Sequence, residues 1–403
     1  MRMEQSMSNN YFRVRSIGLG AVVVLLVAAG CVPSGRSETE RALAGVPEGY
    51  REDIITALET AGENKPEILR ALNKAKKSHK EAVAFLVANM PARDLQALTG
   101  KFILDNVKLA YKARKKVPWG AEIPDKLFFN YVLPYASANE RRDDWRKDFW
   151  KKFFPLVKDF ETAAEAAIWL NKGIFKTVNV QYHATRRPKP DQSPYESMQA
   201  GYASCTGLSI LMIDGCRAVC IPARLVGVPS WATEKPGNHN WAEIWDGQWY
   251  FVGASESKEL NKGWFVKHAA HADPDSLYQR IYAASFKKTS LHFPLVWDLD
   301  IDYVSARNVT TYYTARKNVA IEVLDEPAGR PVDAVVTLYL DGELYARGRT
   351  GAMSKDGDGL LRFEIPGGET YEAAIEPPNG GIVKKTFQTS DEQDQKVTLV
   401  LSE

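Results

Sequence analysis

Between residues 47 and 157 the apolar positions fall three and four apart: Ile54, Ile55 and Leu58, then Ile68, Leu69 and Leu72. Val83, Phe85, Leu86 and Val87 continue the series, followed by Phe102, Ile103 and Val107. This is the repeat of amphipathic α-helices, and Gly62, Pro91, Gly100, Pro118 and Pro134 punctuate it. A helical N-terminal domain is therefore expected over residues 47–158. The aromatic group Phe128, Phe129, Tyr131, Tyr135, Trp145, Phe149, Trp150, Phe153 and Phe154 has the spacing of core positions. It reads as core rather than as a carbohydrate or peptide platform.

Beyond Asn318 the repeat changes to two. Short strands are expected at 319–324, 335–340, 344–347, 361–365, 371–375, 383–387 and 397–401, parted by Asp-Gly, Pro-Gly-Gly and Asn-Gly-Gly turns. Together they predict a C-terminal antiparallel β-sandwich over 318–403. Between the two regions the periods mix. Glu161–Asn171 predicts an amphipathic helix, 178–182 a strand, and 205–218 a buried helix that ends at Ile221-Pro222-Ala223-Arg224. His239 opens a strand, HNWAEIW, and Asp246-Gly247 turns it into a third, QWYFVG. An α+β core over 159–317 follows.

At the N-terminus, Arg13 and Arg15 precede an apolar run from Ala21 to Ala29 that stops at Gly30-Cys31. That is the layout of a secretory signal, and the run is short for a membrane span. Ala28-Ala29-Gly30-Cys31 is similar to a lipobox, which implies lipidation of Cys31 and a protein held to a bilayer by acyl chains. An ordinary signal peptide with an incidental Cys, or a short anchor, are the other readings. Residues 32–46, with few large apolar side chains, read as a tether. The expected location is extracytoplasmic, at an outer membrane or cell surface.

Composition narrows the function classes. The chain has 403 residues with 45% hydrophobic content, more than one core usually organises. A formal net charge of +2 without a long basic run argues against a nucleic-acid partner. Of the four cysteines, Cys31 belongs to the signal, and Cys205, Cys216 and Cys220 are left as an odd set. Cys216 and Cys220 lie four apart on one helix; two buried, unreactive thiols are expected there, with a bridge as the alternative. No cofactor or metal is expected. His268 and His271 lack a completing ligand pair, and Asp356-Gly357-Asp358-Gly359 lacks the ligand series of a calcium loop. His79, His183 and His292 stand apart from any such pattern.

The candidate chemistry lies between Glu196 and Phe265. Cys205 follows a small-residue turn and opens a buried helix, where unpaired N–H groups and the helix dipole favour a thiolate. A thiol pKa below that of a free Cys is expected. With His239 downstream at a strand start, this is the order of a Cys-His hydrolase or acyltransferase. The preceding loop, RRPKPDQSP, reads either as a rim or lid of the cleft or as an ordinary exposed connection.

The segment resembles the core of the transglutaminase-like branch of the papain-type cysteine enzymes. It carries Cys205 at the helix start, Arg217-Ala218-Val219-Cys220-Ile221-Pro222-Ala223-Arg224, His239-Asn240-Trp241-Ala242-Glu243-Ile244, and Trp249-Tyr250-Phe251-Val252-Gly253. Two positions depart from the family pattern. Cys220 replaces a helix-ending Gly where a left-handed backbone is usual, and Gly253 stands where the third catalytic acid should be. Gly253-Ala254-Ser255-Glu256, followed by Gly263-Trp264-Phe265, looks like a bacterial subgroup with a Glu just after the missing Asp. The resemblance thus implies Cys205 as nucleophile, His239 as proton shuttle and Glu256 as the acid, with Asn238, Ser255 and Glu243 as competitors for that place. Gln199, six positions before Cys205, has a spacing similar to the oxyanion-stabilising Gln of papain; the Cys205 N–H is the alternative donor. The C-terminal strands resemble carboxypeptidase regulatory-like and other immunoglobulin-like modules.

The expected function is a cysteine-dependent amide hydrolase, of protease or peptidase type, or an acyltransferase acting on a protein or peptide through a thioester. The alternative is an inactive transglutaminase-like binding module on a membrane-anchored lipoprotein. A third reading leaves binding to the sandwich and the helical domain.

Overall fold

The computed structural model describes residues 37–351, 354 and 358–402. The expected signal segment, Cys31, and the first two residues of Asp356-Gly357-Asp358-Gly359 lie outside them. The chain divides into a unit at Met1–Ser37 and one at Glu38–Glu403, and only the second is described below. Part of the stretch expected as tether is a helix, Glu38–Leu43, whose Ala42 is fully buried. Acidic residues in its first turn and Arg41 in its last suit the helix dipole.

The N-terminal region is helical, as the periodicity predicts. Its longer elements are Arg51–Thr60, Lys65–Lys74, Lys80–Asn89, Gly100–Arg114 and Arg146–Val157. Gly100 begins a helix rather than breaking one: Thr99 caps it by accepting the Phe102 N–H at 3.1 Å. A Cβ on Gly100 would sit 3.1 Å from the Ala71 backbone nitrogen, so the two helices meet where a side chain is missing. Phe128, Tyr131, Trp145, Phe149 and Phe153 are buried, while Trp150 and Phe154 stack at 4.0 Å on the edge of the core. One hydrophobic cluster runs from Ala42 through these aromatics to the Cys205–Ala218 helix and Ile244.

Arg146 joins this region to the centre. Buried, it donates to the carbonyls of Val132, Leu133, Pro134 and Arg217 and to Asn106 Oδ1. These oxygens stand in for water around its charge, yet burial pulls its pKa down to about 9. Asp214, on the 205–218 helix, is also fully buried; neither oxygen has a hydrogen-bond partner, and burial raises its pKa well above the usual range.

A five-stranded antiparallel sheet forms the centre, in the order Trp249–Val252, His239–Trp245, Ala223–Val228, Tyr282–Ala284, Ala306–Asn308. Every residue of the His239–Trp245 strand is buried, because both faces are covered. Ala242 and Ile244 face the main cluster; Trp241 meets Trp231, Phe251 and Phe265 on the other side. Glu243 is taken by Arg224 at 2.7 Å and by the Tyr313 hydroxyl at 2.5 Å, which makes it a structural anchor.

The C-terminal strands are Arg316–Leu324, Val335–Leu340, Glu343–Arg349, Leu361–Pro366, Thr370–Glu376, Val383–Gln388 and Gln395–Val400. They form a four-stranded and a three-stranded sheet that share one hydrophobic cluster. Asp341 and Gly342 both have positive φ, as a two-residue hairpin turn requires. One difference from the expectation is that Gln395–Val400 runs parallel to Arg316–Leu324. The chain reaches that edge from the other sheet by a crossover, not from a hairpin. These sheets are fastened to the central hairpin: Arg347 N–H donates to Gly247 O at 2.7 Å, Glu364 N–H to Gln248 Oε1 at 2.7 Å, and Trp245 Nε1 to Tyr345 O at 3.3 Å.

Candidate active site

The short helix Pro194–Ala200 starts with a reciprocal cap between Ser193 and Glu196 and ends at Gly201, whose φ is +71°. The left-handed residue turns the chain into Tyr202–Ala203, which pairs in parallel with Gln181–Tyr182. Ser204 then caps the next helix, accepting the Gly207 N–H at 3.4 Å, and Cys205 is its first residue, only partly buried. A second set of bonds fixes this helix start on the strand that follows in sequence. Asn240 donates its amide to Thr206 Oγ1 at 2.7 Å, and the Ser209 hydroxyl donates to Asn240 O at 3.3 Å. Asn240 is the neighbour of His239, so the two expected reacting residues are tied together through their neighbours.

Cys205, His239, Ser255, Glu256, Tyr182 and Trp264 line one cavity of ≈ 380 Å³. Tyr182 and Trp264, 59% and 55% exposed, stand on the outside of it. The His239 ring is buried at centroid distances of 4.8 Å from Trp264, 5.1 Å from Phe265 and 5.7 Å from Trp241. Its Nε2 is 3.6 Å from Glu256 Oε1, too long for a hydrogen bond, and has no other partner among the described residues.

Glu256 comes from the turn after the Trp249–Val252 strand. Its N–H donates to Gly253 O at 3.0 Å, and Ser255 takes a φ of +66°. A Cβ placed on Gly253 would overlap Glu256 Oε2 and lie 2.9 Å from Glu256 Cβ. The glutamate therefore fills the space in which an acid at position 253 would stand. Sequence reasoning missed the group that holds this turn. Asn171, buried on the helix Ala163–Thr177, donates to Gly253 O at 3.0 Å and Ser257 O at 2.7 Å and accepts the Ser255 N–H at 2.9 Å. Its signal, a polar residue on the apolar side of an amphipathic helix, was present in the sequence.

The electrostatics differ from the expectation. Burial pushes the Cys205 thiol up; hydrogen bonds from the Asn240 N–H and from the Thr206 hydroxyl and N–H act the other way, and nearby Glu256 adds to the rise. Burial alone carries His239 down to about 4. Burial also raises Glu256, against an opposing interaction with the Trp264 indole. Burial thus works towards the uncharged form of both groups. The helix start is there, but desolvation outweighs it.

Gln199 is exposed on its helix and does not line the cavity. Pro194 and Ser197 take the inward positions of that short helix instead. The buried glutamine of this segment is Gln192, which donates to Tyr202 O at 3.0 Å. The second half of the RRPKPDQSP loop is therefore packed rather than free: Asp191, Gln192 and Ser193 are buried and Pro190 O accepts the Ser204 hydroxyl at 2.9 Å. Cys216 and Cys220 are buried free thiols, with burial pushing Cys220 up to about 12. Cys220 has a φ of +62°, so a non-glycine occupies the left-handed position after the helix. His268 packs on Trp231 at 5.5 Å, and His79 stacks on Tyr111 at 4.3 Å. Among the described residues no cluster suited to a metal ion occurs, and Asp358 is paired with Arg362 at 2.5 Å.

Residues 156–254 match the family described as the transglutaminase-like superfamily. No curated protein matches. Three solved structures are similar to parts of the chain. A putative cysteine protease from Cytophaga hutchinsonii has 23% identity and a TM-score of 0.23, over 28% of this chain and 37% of that one. A transglutaminase of red sea bream has 10% identity and a TM-score of 0.33, over 68% and 65%. The Bacillus anthracis TIE protein has 12% identity and a TM-score of 0.18, over 45% and 30%. The chain thus spans between 30% and 65% of these structures.

Proposed function

Starting from a chain whose residues 156–254 are a transglutaminase-like domain, we propose that it is a cysteine-dependent enzyme that cleaves or transfers acyl groups of peptide or protein amides. One observation carries the reading: Cys205, His239 and Glu256 line the same cavity, with the carboxylate 3.6 Å from the far nitrogen of the imidazole. Cys205 Sγ attacks the amide carbonyl as its proton passes to His239 Nδ1. The Cys205 N–H, at the open end of its helix, is the donor for the developing oxyanion. His239 then gives the proton to the departing amine, leaving a thioester that water or a second amine resolves. Glu256 holds the ring and stabilises the imidazolium, its contact tightening once the ring is charged. Hydrolysis is the preferred outcome.

The burial of both groups, which disfavours their charged forms, favours one competing reading, a binding module that keeps the cleft without turnover. An activity-based thiol probe on the pure protein separates the two, with Cys205→Ala as control. Labelling of wild type alone, with release of amine from an amide substrate, supports the enzyme. An inert Cys205 and no turnover support the module.

The C-terminal sheets are read as an immunoglobulin-like sandwich braced against the hairpin, and the N-terminus as a lipid anchor at Cys31 on the outer side of a membrane. Cys31→Ser is expected to release the exported protein from membranes; unchanged detergent partitioning would remove the anchor. No helix among the described residues is long and apolar enough to cross a membrane.

A further inference from the structure

Beside the Cys205–His239 cavity lies a second hollow of ≈ 470 Å³ along the outer face of the Ala163–Thr177 helix. Tyr182, Ser255 and Glu256 line both, so the two form one groove. Its floor carries Lys172, Lys176 and Lys258, all exposed. Among the described residues none of these three lysines takes part in an ion pair, although ion pairs are common elsewhere on this surface. Lys172 and Lys176 are four apart on one helix, where like charges repel. The only carboxylate in the lining is Glu256, and it is turned towards His239.

One edge of the groove is backbone: Gln181 N–H and His183 N–H donate to Gly201 O and Ala203 O at 3.0 and 2.9 Å. Strand alternation leaves the Tyr182 N–H and C=O on the opposite edge, where an extended chain can pair with them.

We propose that this groove receives an acidic stretch of extended polypeptide, and that Lys172, Lys176 and Lys258 select substrates whose reacting amide is flanked by Asp or Glu. The inference rests on the enzyme reading for the word substrate, but the groove's charge preference stands without it. A polypeptide is favoured over an acidic polysaccharide because Tyr182, which lines both hollows, offers one backbone donor and one acceptor on the free edge of its strand.

The test uses the full chain carrying Cys205→Ala, so that binding is read without turnover. Two fluorescein-labelled peptides share a central Gly-Gln-Gly, one flanked by glutamates and the other by lysines. At low ionic strength the acidic peptide should bind about tenfold more tightly by fluorescence anisotropy, as expected for a few exposed charge pairs. The preference should collapse with added salt. Lys172→Glu, Lys176→Glu and Lys258→Glu together should reverse it while the variant melts as the parent does. Equal binding of the two peptides, or a preference that survives the triple change, overturns the proposal. So does binding of a heparin oligosaccharide with none of the acidic peptide. A charge preference in a protein whose wild-type Cys205 is inert sinks the enzyme and keeps the groove; turnover without the preference does the opposite.

Discussion

Gly253 matters through the side chain it lacks. Its missing Cβ leaves the room that Glu256 occupies beside His239, so two substitutions should act alike for different reasons. Glu256→Gln removes the charge, and turnover should fall by about 10²–10⁴-fold with the fold intact, as on loss of a triad acid. Gly253→Ala keeps the charge but displaces it, and a loss of comparable size is expected in the same amide-hydrolysis assay. Full activity in both variants would take Glu256 out of the mechanism. The thiol offers a second check. With Cys205 raised by burial and His239 lowered to about 4, the thiolate appears only above the ordinary range of a free cysteine. Iodoacetamide labelling of Cys205 in native protein should be slow at mildly acidic pH and climb through and beyond pH ~8.5. A rate already level at acidic pH would mean a preformed ion pair. The imidazole also sets a stability window, because its folded pKa lies below the value of 6.5 it has in an unfolded chain. Its contribution is complete above pH 6.5 and is lost as the pH falls towards 4.

Among the elements, the Ala163–Thr177 helix does more than its amphipathic pattern suggests. Asn171 satisfies three backbone groups of the 253–257 turn. Asn171→Leu should cost about 2–4 kcal/mol in chemical denaturation, since buried donors and acceptors lose their partner. It should also lower kcat more than it raises KM, because the turn that carries Glu256 is freed. An effect on stability alone would leave Asn171 a purely structural residue. This element also shows what the sequence could disclose. Tyr282–Ala284 and Ala306–Asn308 of the central sheet and the helices Pro194–Ala200 and Thr310–Thr314 are too short to show a repeat. The helical and two-residue repeats do locate the longer helices and the C-terminal strands, since burial on one face writes itself into adjacent positions. Cys205 and His239 are legible for the same reason, one at a helix start and the other at a strand start. The place of Asn171 on the apolar side of its helix is visible in sequence, but its partner Gly253 lies 82 positions away and cannot be read from the local pattern. Gln199 shows the converse error: its spacing from Cys205 is suggestive, yet the register of a short helix turns it outward. The thiol expectation failed because a helix terminus is visible in sequence, whereas the burial of that terminus is not.

At the scale of the molecule, the C-terminal sheets are bonded to the hairpin that carries His239 through Gly247, Gln248 and Trp245. Tyr313, just before them, reaches Glu243. Deleting residues 318–403 should therefore destabilise what remains rather than trim it, leaving the hairpin end with unpaired groups and newly exposed apolar surface. Insoluble expression, or a clearly lower melting temperature for the truncated protein, is the expected result. A truncated protein that melts as the full chain does would show the sheets to be an independent appendage. The fit between Gly253 and Glu256 also bears on how such a site can change over time. An aspartate at 253 and a glutamate at 256 compete for one volume, so neither arrangement converts into the other by a single substitution without passing through a crippled protein. Gly253→Asp and Glu256→Gly should each fail alone, and the pair together should recover activity that neither has. The route between the two acids is a valley, with both neighbours of the present sequence lying below it.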